Sequence, residues 1–348
     1  MFDKEKTLEV FFDTIVNSYK SYARYLWHEV KNPSWDNYFY WLIFVSLVFL
    51  FLEWSNPWRK NQPKFRKDFW LDIFYLFFNF FLFSLIIYAA LSRVVVNVVN
   101  DIFYQLFHVD LTTLNPLHGA PLWLILLIGF IVRDFIQWWI HRLLHKVPFL
   151  WKFHQVHHSV EQMGFAAHLR FHWMETIVYR MIEYLPLAFL GIGLYDFFII
   201  HIFTLSFGHY NHSNLNLSGK FLGLILSASV GIAILTSSFD ITLLKNATDA
   251  VSLATFLMIC LFGYFILGPK VKYIFNSPEM HIWHHGYEMP ADKPNGINFG
   301  LTLSLWDYLF KTAYMPYNGR DLKLGFPGVE RFPARFWGQF IHGIFGKK

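Results

Sequence analysis

Cysteine is almost absent: Cys260 is the only one in 348 residues, so no disulfide framework can staple this chain. Charge is scarce as well. Asp, Glu, Lys and Arg make up 15% of the residues, against roughly 25% in soluble domains, whereas 55% are hydrophobic and 21% aromatic. No internal period of about 20 to 50 residues marks a repeat array. These shortages exclude a disordered chain, a solenoid and an ordinary soluble enzyme, and leave an integral membrane protein. Basic residues outnumber acidic ones, 29 to 24, with a pI near 9.0. They sit in short segments beside apolar runs, which suits an anionic membrane surface, and no nucleic acid is expected as a partner.

Residues 1–37 mix Lys4, Lys6, Lys20, Arg24 and Lys31 with Phe11, Phe12, Ile15, Tyr22 and Leu26. Without the small-residue cleavage pattern of a signal peptide, they read as an amphipathic interfacial segment. Residues 38–120 read as N-terminal transmembrane helices and connectors, with apolar runs at 38–54 and 69–91. A third run, 121–140, leads without a break into a histidine-bearing helix. Each is near the ~20 residues that a crossing needs. Arg59, Lys60, Lys64, Arg66 and Lys67 form the densest basic cluster, so the first loop is expected in the cytoplasm. The stretch 94–110 then lies on the far side and His141 returns to the cytoplasm, with Arg142, Lys146 and Lys152 in agreement.

Two further apolar stretches, 177–207 and 221–267, are each too long for one crossing. The first carries Pro186, Gly191, Gly193 and Asp196 near its middle, and the second is interrupted at 240–249. Both read as out-and-back hairpins. A single span in either place would put the histidines on its two sides in opposite compartments. The triplet Asn246-Ala247-Thr248 matches a glycosylation sequon, a short pattern frequent by chance. Residues 317–348 form a C-terminal tail. The expected fold class is an all-α polytopic membrane protein, with transmembrane helices under a cytoplasmic histidine-rich cap.

Of 17 histidines, 13 fall between His141 and His285, and they are grouped. His141 and His145 form HRLLH; His154, His157 and His158 form HQVHH; His209 and His212 form HYNH; His281, His284 and His285 form HIWHH. Residues three and four apart share a helix face, so each group aims two or three imidazoles at one point. Neutral imidazoles crowded at a membrane surface have little except metal to stabilise them. His28, His108, His118, His201 and His342 read instead as interfacial or core residues.

So many imidazoles exceed the capacity of one ion and imply two. Imidazole suits Fe, Zn, Cu and Ni. A hydrolytic zinc site commonly pairs its ligands with a carboxylate base, as in HExxH, and none of these boxes holds a carboxylate. Nitrogen-rich ligation fits redox chemistry better. Two readings from other classes stay open: a zinc-dependent membrane hydrolase, and a metal-binding transporter or sensor, although the latter predicts polar residues along a continuous transmembrane path.

The boxes and their surroundings are similar to those of the sterol desaturase / fatty acid hydroxylase superfamily of membrane di-iron oxygenases. RDFIQWWIHRLLHKVPFLWKFHQVHHS, beginning at Arg133, resembles its first two boxes. NSPEMHIWHHG, beginning at Asn276, and NFGLTLSLWDYLFKT, beginning at Asn298, resemble its third box and closing motif. The resemblance runs over residues 121–316, with the apolar hairpin 221–267 as an insertion. It implies a lipid hydroxylase or desaturase with two iron ions, O2 as co-substrate, a membrane lipid (sterol, fatty acyl, sphingoid or ether lipid) as substrate, and a separate electron donor of cytochrome b5, ferredoxin or reductase type. The enzyme would lie in a bacterial inner membrane or endoplasmic reticulum.

The implied iron ligands are His141, His145, His154, His157, His158, His281, His284 and His285, joined by His212 in NHSNL, His172 in LRFHWME, and His209. His168 is expected to be structural. Asp134, Gln137, His141 and His145 fall on one helical stripe, and a buried carboxylate there suggests an acceptor for a ligand N–H. Asp307 in SLWDYLF is given the same role, and Arg170 and Glu175 are further supports. Trp138, Trp139, Trp151, Trp173 and Trp283 read as an interfacial belt.

Overall fold

The computed structural model describes residues 37–79, 100–235 and 249–344, with residues 30–34 and scattered positions from 16 to 28. Among the described residues every extended element is helical; β-pairing is limited to isolated bridges, such as Phe275 with Leu303. Three helices among the described residues, Tyr38–Ser55, Leu122–Lys146 and Val251–Tyr273, are long and apolar enough to cross a membrane.

Helix α1 (Tyr38–Ser55) opens at Asn37, whose side chain accepts a 3.0 Å bond from the Phe39 N–H. It buries Leu42 and Val45 and leaves Phe44, Leu47 and Phe51 on the outside, as a lipid-facing helix does. Helix α2 (Phe69–Phe77) begins where the second apolar run begins. The rest of that run, most of the N-terminal segment 1–37 and the sequon at 246–248 lie outside the described residues.

Helix α3 (Leu122–Lys146) is the expected unbroken extension of the third run into the first box. It stops at Val147 because Pro148 has no N–H to continue the ladder; that proline instead starts helix α4 (Pro148–His158) at its first position. The 177–207 stretch folds as the expected hairpin of α5 (Trp173–Phe189) and α6 (Leu194–His212). Gly191 turns it at φ +76°, where a Cβ would meet the Asn115 side chain at 2.2 Å.

The inserted stretch pairs α7 (Gly219–Leu235) with α8 (Asp249–Phe262), which continues through a π turn at Gly263–Leu267 and a 3-10 turn at Gly268–Tyr273. The pair is antiparallel: Gly223 meets Gly263 and Gly268, and Gly231 meets Phe256. Small residues allow this close backbone approach. The C-terminal third is mostly irregular around α9 (Pro278–His284), α10 (Leu305–Leu309) and α11 (Phe336–Phe340). It packs over the helix ends on a core that includes Val160, Met163, Ala167, Ile282, Ile297 and Leu324.

The tryptophan belt needs correction. Trp138 and Trp283 are buried, and their indole N–H groups donate to Asp307 Oδ1 at 3.0 Å and to the Tyr317 carbonyl at 2.9 Å. Trp173 likewise donates to the Phe340 carbonyl at 2.9 Å. Buried indoles with such partners are parts of the core, and of the five only Trp139 is an exposed residue.

A Cβ on Gly263 would lie 2.3 Å from Ser227 Oγ and 2.5 Å from the Gly223 carbonyl oxygen. Gly263→Ala is therefore expected to lower the thermal unfolding midpoint, at an overpacking cost of about 1–3 kcal/mol, and Ser227→Gly to restore part of the loss. Fluorescence-detected melting of the two variants checks this; an unchanged midpoint in Gly263→Ala would show that the helices are not closely packed.

Candidate metal centre

Nine histidines converge in two groups. His141, His145, His154, His158 and His284 form the first; His157, His212, His281 and His285 form the second; within each, the candidate ligand atoms lie within 4.8 Å of one another. The boxes are divided between them. The second box sends His154 and His158 to the first group and His157 to the second, and the third box sends His281 and His285 to the second and His284 to the first. Helix geometry explains the split. Positions i and i+4 lie about 40° apart around the axis, whereas i+3 and i+4, as neighbours, lie about 100° apart. An HxxHH box on one helix therefore serves two points, which corrects the expectation that each box aims at one.

Burial pushes the imidazoles of the second and third boxes well below their usual pKa, and neighbouring imidazoles push the same way, so these rings are neutral. A neutral ring carries one N–H, and its partner decides which nitrogen holds it. His141 Nδ1 donates to the Phe299 carbonyl at 2.8 Å, His284 Nδ1 to Ile297 at 2.7 Å and His212 Nδ1 to Gly208 at 2.8 Å. His154 Nδ1 donates to the Glu175 carboxylate at 2.9 Å. The tautomers follow from these partners. Each such ring is left with a bare lone pair on Nε2, turned into its group.

Those lone pairs face other ring nitrogens of their own group, and on His141 and His154 they face each other. Nε2 of His141 lies 3.2 Å from Nε2 of His154, and Nε2 of His212 lies 3.0 Å from that of His281 and 3.2 Å from that of His157. In the first group His158 and His284 stand 3.0 Å apart. Two nitrogens that each sit about 2.0–2.1 Å from one ion, at angles between square and tetrahedral, are about 2.8–3.4 Å apart. His145 Nε2 is buried with no hydrogen-bond partner. The donor set fits two cations, one per group.

Neither Asp134 nor Asp307 touches a histidine of either group, which corrects the expectation that they accept from ligand N–H groups. Asp134 accepts from the Thr302 and Leu303 backbone N–H groups and from Trp306 Nε1, at 3.1, 3.2 and 2.8 Å. Asp307 accepts from the Phe299 and Gly300 N–H groups at 2.9 and 2.7 Å, from Trp138 and from Thr312. Together they gather the amides of residues 299, 300, 302 and 303, while Ile297 and Phe299 offer their carbonyls to His284 and His141. The two aspartates thus act one step back, by holding the strip of backbone that orients the rings. Glu175 is the carboxylate in direct contact.

His172 and His209 stand outside both groups. His172 caps α5, accepting from the Met174 N–H at Nδ1 and donating from Nε2 to the Phe340 carbonyl at 2.8 Å, so both nitrogens are occupied. His209 contacts His168 Nδ1 with Nδ1 and Ser46 Oγ with Nε2, each at 3.1 Å. His168 stacks beside His212 with ring centroids 5.2 Å apart. Arg170 pairs with Asp72 and donates to Ser159 Oγ at 3.2 Å, tying the end of the second box to α2.

An open cavity runs between α3, α5 and α6 from Gly208, Phe171 and Thr302, near the histidines, to Arg133, Glu183 and Thr204. Sequence reasoning did not assemble this polar end. Its signal was available: Glu183 is a carboxylate within an apolar run, and such a residue requires a partner.

The fatty acid hydroxylase family model matches residues 126–237, a segment that ends before the third box. An ornithine lipid hydroxylase of Rhizobium tropici is 24% identical over 201 residues, covering 58% of this chain and 45% of that protein. A very-long-chain aldehyde decarbonylase of Oryza sativa subsp. japonica is 44% identical over 54 residues, 15% of this chain and 18% of that protein. The chain thus aligns with less than half the length of either relative. No solved structure matches it.

Loss of a partner that orients a ligand typically costs 10–100-fold in metal affinity. Glu175→Ala is expected to weaken retention of metal by about that factor, and Glu175→Gln, which keeps an acceptor for His154 Nδ1, by less. Chelator competition on the purified protein measures both; equal retention in wild type and Glu175→Ala would remove Glu175 from the centre.

Proposed function

We propose that the chain is a member of the sterol desaturase / fatty acid hydroxylase superfamily, a reading that the match of residues 126–237 supports, and that it is a membrane-bound, O2-dependent lipid hydroxylase with two iron ions. The first ion is held by His141, His145, His154, His158 and His284, and the second by His157, His212, His281 and His285. The observation that carries the reading is the His141–His154 contact, two lone pairs 3.2 Å apart, an arrangement that a cation between them makes favourable. Both groups consist of histidine alone, which supports redox chemistry over zinc hydrolysis, where a carboxylate base would be expected beside the ion.

Bound iron would supply the oxidation, in which a lipid C–H, O2, two electrons and two protons give an alcohol and water. The protein's part is positional. Carbonyls of Ile297, Phe299 and Gly208 and the Glu175 carboxylate keep the N–H on the outer nitrogen of four rings, so that the inner nitrogen faces the ion. Burial of the rings under the C-terminal cap excludes water. The cavity beside His168 offers a lipid a route from the bilayer between α3, α5 and α6. Electrons would come from a separate donor of cytochrome b5, ferredoxin or reductase type. The basic cluster Arg59 to Lys67 supports a site on the cytoplasmic face.

Elemental analysis of the purified protein is expected to find two irons per chain, with O2 uptake that requires both reductant and added lipid. Zinc alone, with no O2 uptake, would overturn the proposal. His157→Ala and His284→Ala strike different groups, and each is expected to abolish turnover while the protein still inserts in the membrane. Full activity in either would sink the two-group assignment.

A further inference from the structure

The cavity is bounded by three helices that repeat one pattern. On α3, Arg133, Gln137 and His141 follow at i, i+4 and i+8. Thr204, Gly208 and His212 do so on α6, and on α5 Glu183, Tyr179 and Glu175 do so in the reverse direction. Each stripe begins at the histidine level, with two candidate ligands and the residue that orients a third, and ends eight residues away. At ~1.5 Å of rise per residue that is about 12 Å. The three far ends meet: Arg133 pairs with Glu183 through Nε, donates to Thr204 Oγ1, and lies 2.9 Å from His201 Nδ1. Both charged partners are almost fully buried, and the cavity is lined by the far ends and by the middle residues Gln137, Tyr179 and Gly208, one helical turn short of the histidine level.

A buried ion pair is not in general more stable than well-packed apolar residues. Within a membrane protein such a pair marks a substrate path or ligand site by default. Two features here point to a ligand. The pair borders open space instead of packed core, and each terminal guanidinium nitrogen carries a second N–H beyond the one used in these contacts. Charge selects the ligand class: Glu183 neutralises Arg133, so the layer has donors and acceptors without net charge. A carboxylate would face Glu183, while a hydroxyl, ester or amide would meet a donor and a compatible acceptor.

We propose that the Arg133–Glu183–Thr204 layer binds a neutral oxygen-bearing group of the lipid, and so sets which carbon lies at the histidine level. The identification of that level as the reacting centre rests on the function proposed above. The selected lipid has its hydrogen-bonding group on the order of 10 Å from the oxidised carbon, reached through an apolar segment.

Competable binding of radiolabelled 1-hexadecanol, palmitate and hexadecane to the detergent-purified, metal-loaded protein tests the proposal without turnover. Wild type is expected to bind 1-hexadecanol at least about tenfold more tightly than hexadecane, and more tightly than palmitate. The double variant Arg133→Met with Glu183→Met removes the pair without stranding a charge; it should bring the alcohol-to-alkane ratio close to one and leave hexadecane binding within about twofold. Thr204→Val should reduce the ratio about fivefold, the equivalent of one hydrogen bond, and it carries the test should the double variant not fold. A wild-type ratio near one, a palmitate preference, or an unchanged ratio in Thr204→Val overturns the proposal. Failure of O2 uptake with the binding ratios intact would overturn the oxygenase reading alone.

Discussion

Bare nitrogen lone pairs repel, and this fold brings two of them, on His141 and His154, to 3.2 Å in its buried interior. Much of the buried polar structure answers that constraint. Three backbone carbonyls and one carboxylate hold the outer N–H groups, and Asp134 and Asp307 hold the backbone from which two of those carbonyls come. Arg170 and Asp72 secure the end of the second box. Removing any of these partners would leave a donor or acceptor buried and unsatisfied, and would also free a ring to turn away.

The membrane setting imposes a second order on the same helices. Along α3, α5 and α6 the polar residues lie on the inner faces, while the outer faces carry residues such as Leu127, Ile131, Ile182 and Phe203 that suit lipid. Polarity is layered, with histidines at one level and the Arg133–Glu183 pair at another. Gly208 belongs to this layering for a steric reason. A Cβ there would lie about 2.0 Å from the His168 ring, so a larger residue would displace His168 from both the cavity and His212.

The helices, both hairpins where they are described, and the nine convergent histidines were legible in the sequence, because hydropathy and i, i+4 spacing are local quantities. The division of each HxxHH box between two groups was also latent in that spacing, through the 100° step between adjacent residues. What the sequence did not disclose were relations between distant segments. Asp134 looked like a ligand-orienting carboxylate because it shares a stripe with His141; its partners at Thr302 and Leu303 lie far along the chain and became visible only with the fold. Tertiary contact likewise removed His172, whose position before α5 made it a helix cap, and took Trp138 and Trp283 from a belt into the core.

The inserted hairpin of α7 and α8 separates His212 from the third box, and its effect extends to the order of assembly. The first group draws four of its five histidines from the span His141–His158, whereas the second has only His157 and His212 before the insertion. A chain made from its N-terminus therefore gathers most of the first histidine group early and waits for α9 to supply half of the second. Loop-closure entropy grows only slowly with length, so the hairpin adds little to the thermodynamic cost of bringing α9 back. Its cost is in time: the second histidine group stays incomplete through the synthesis of two more helices.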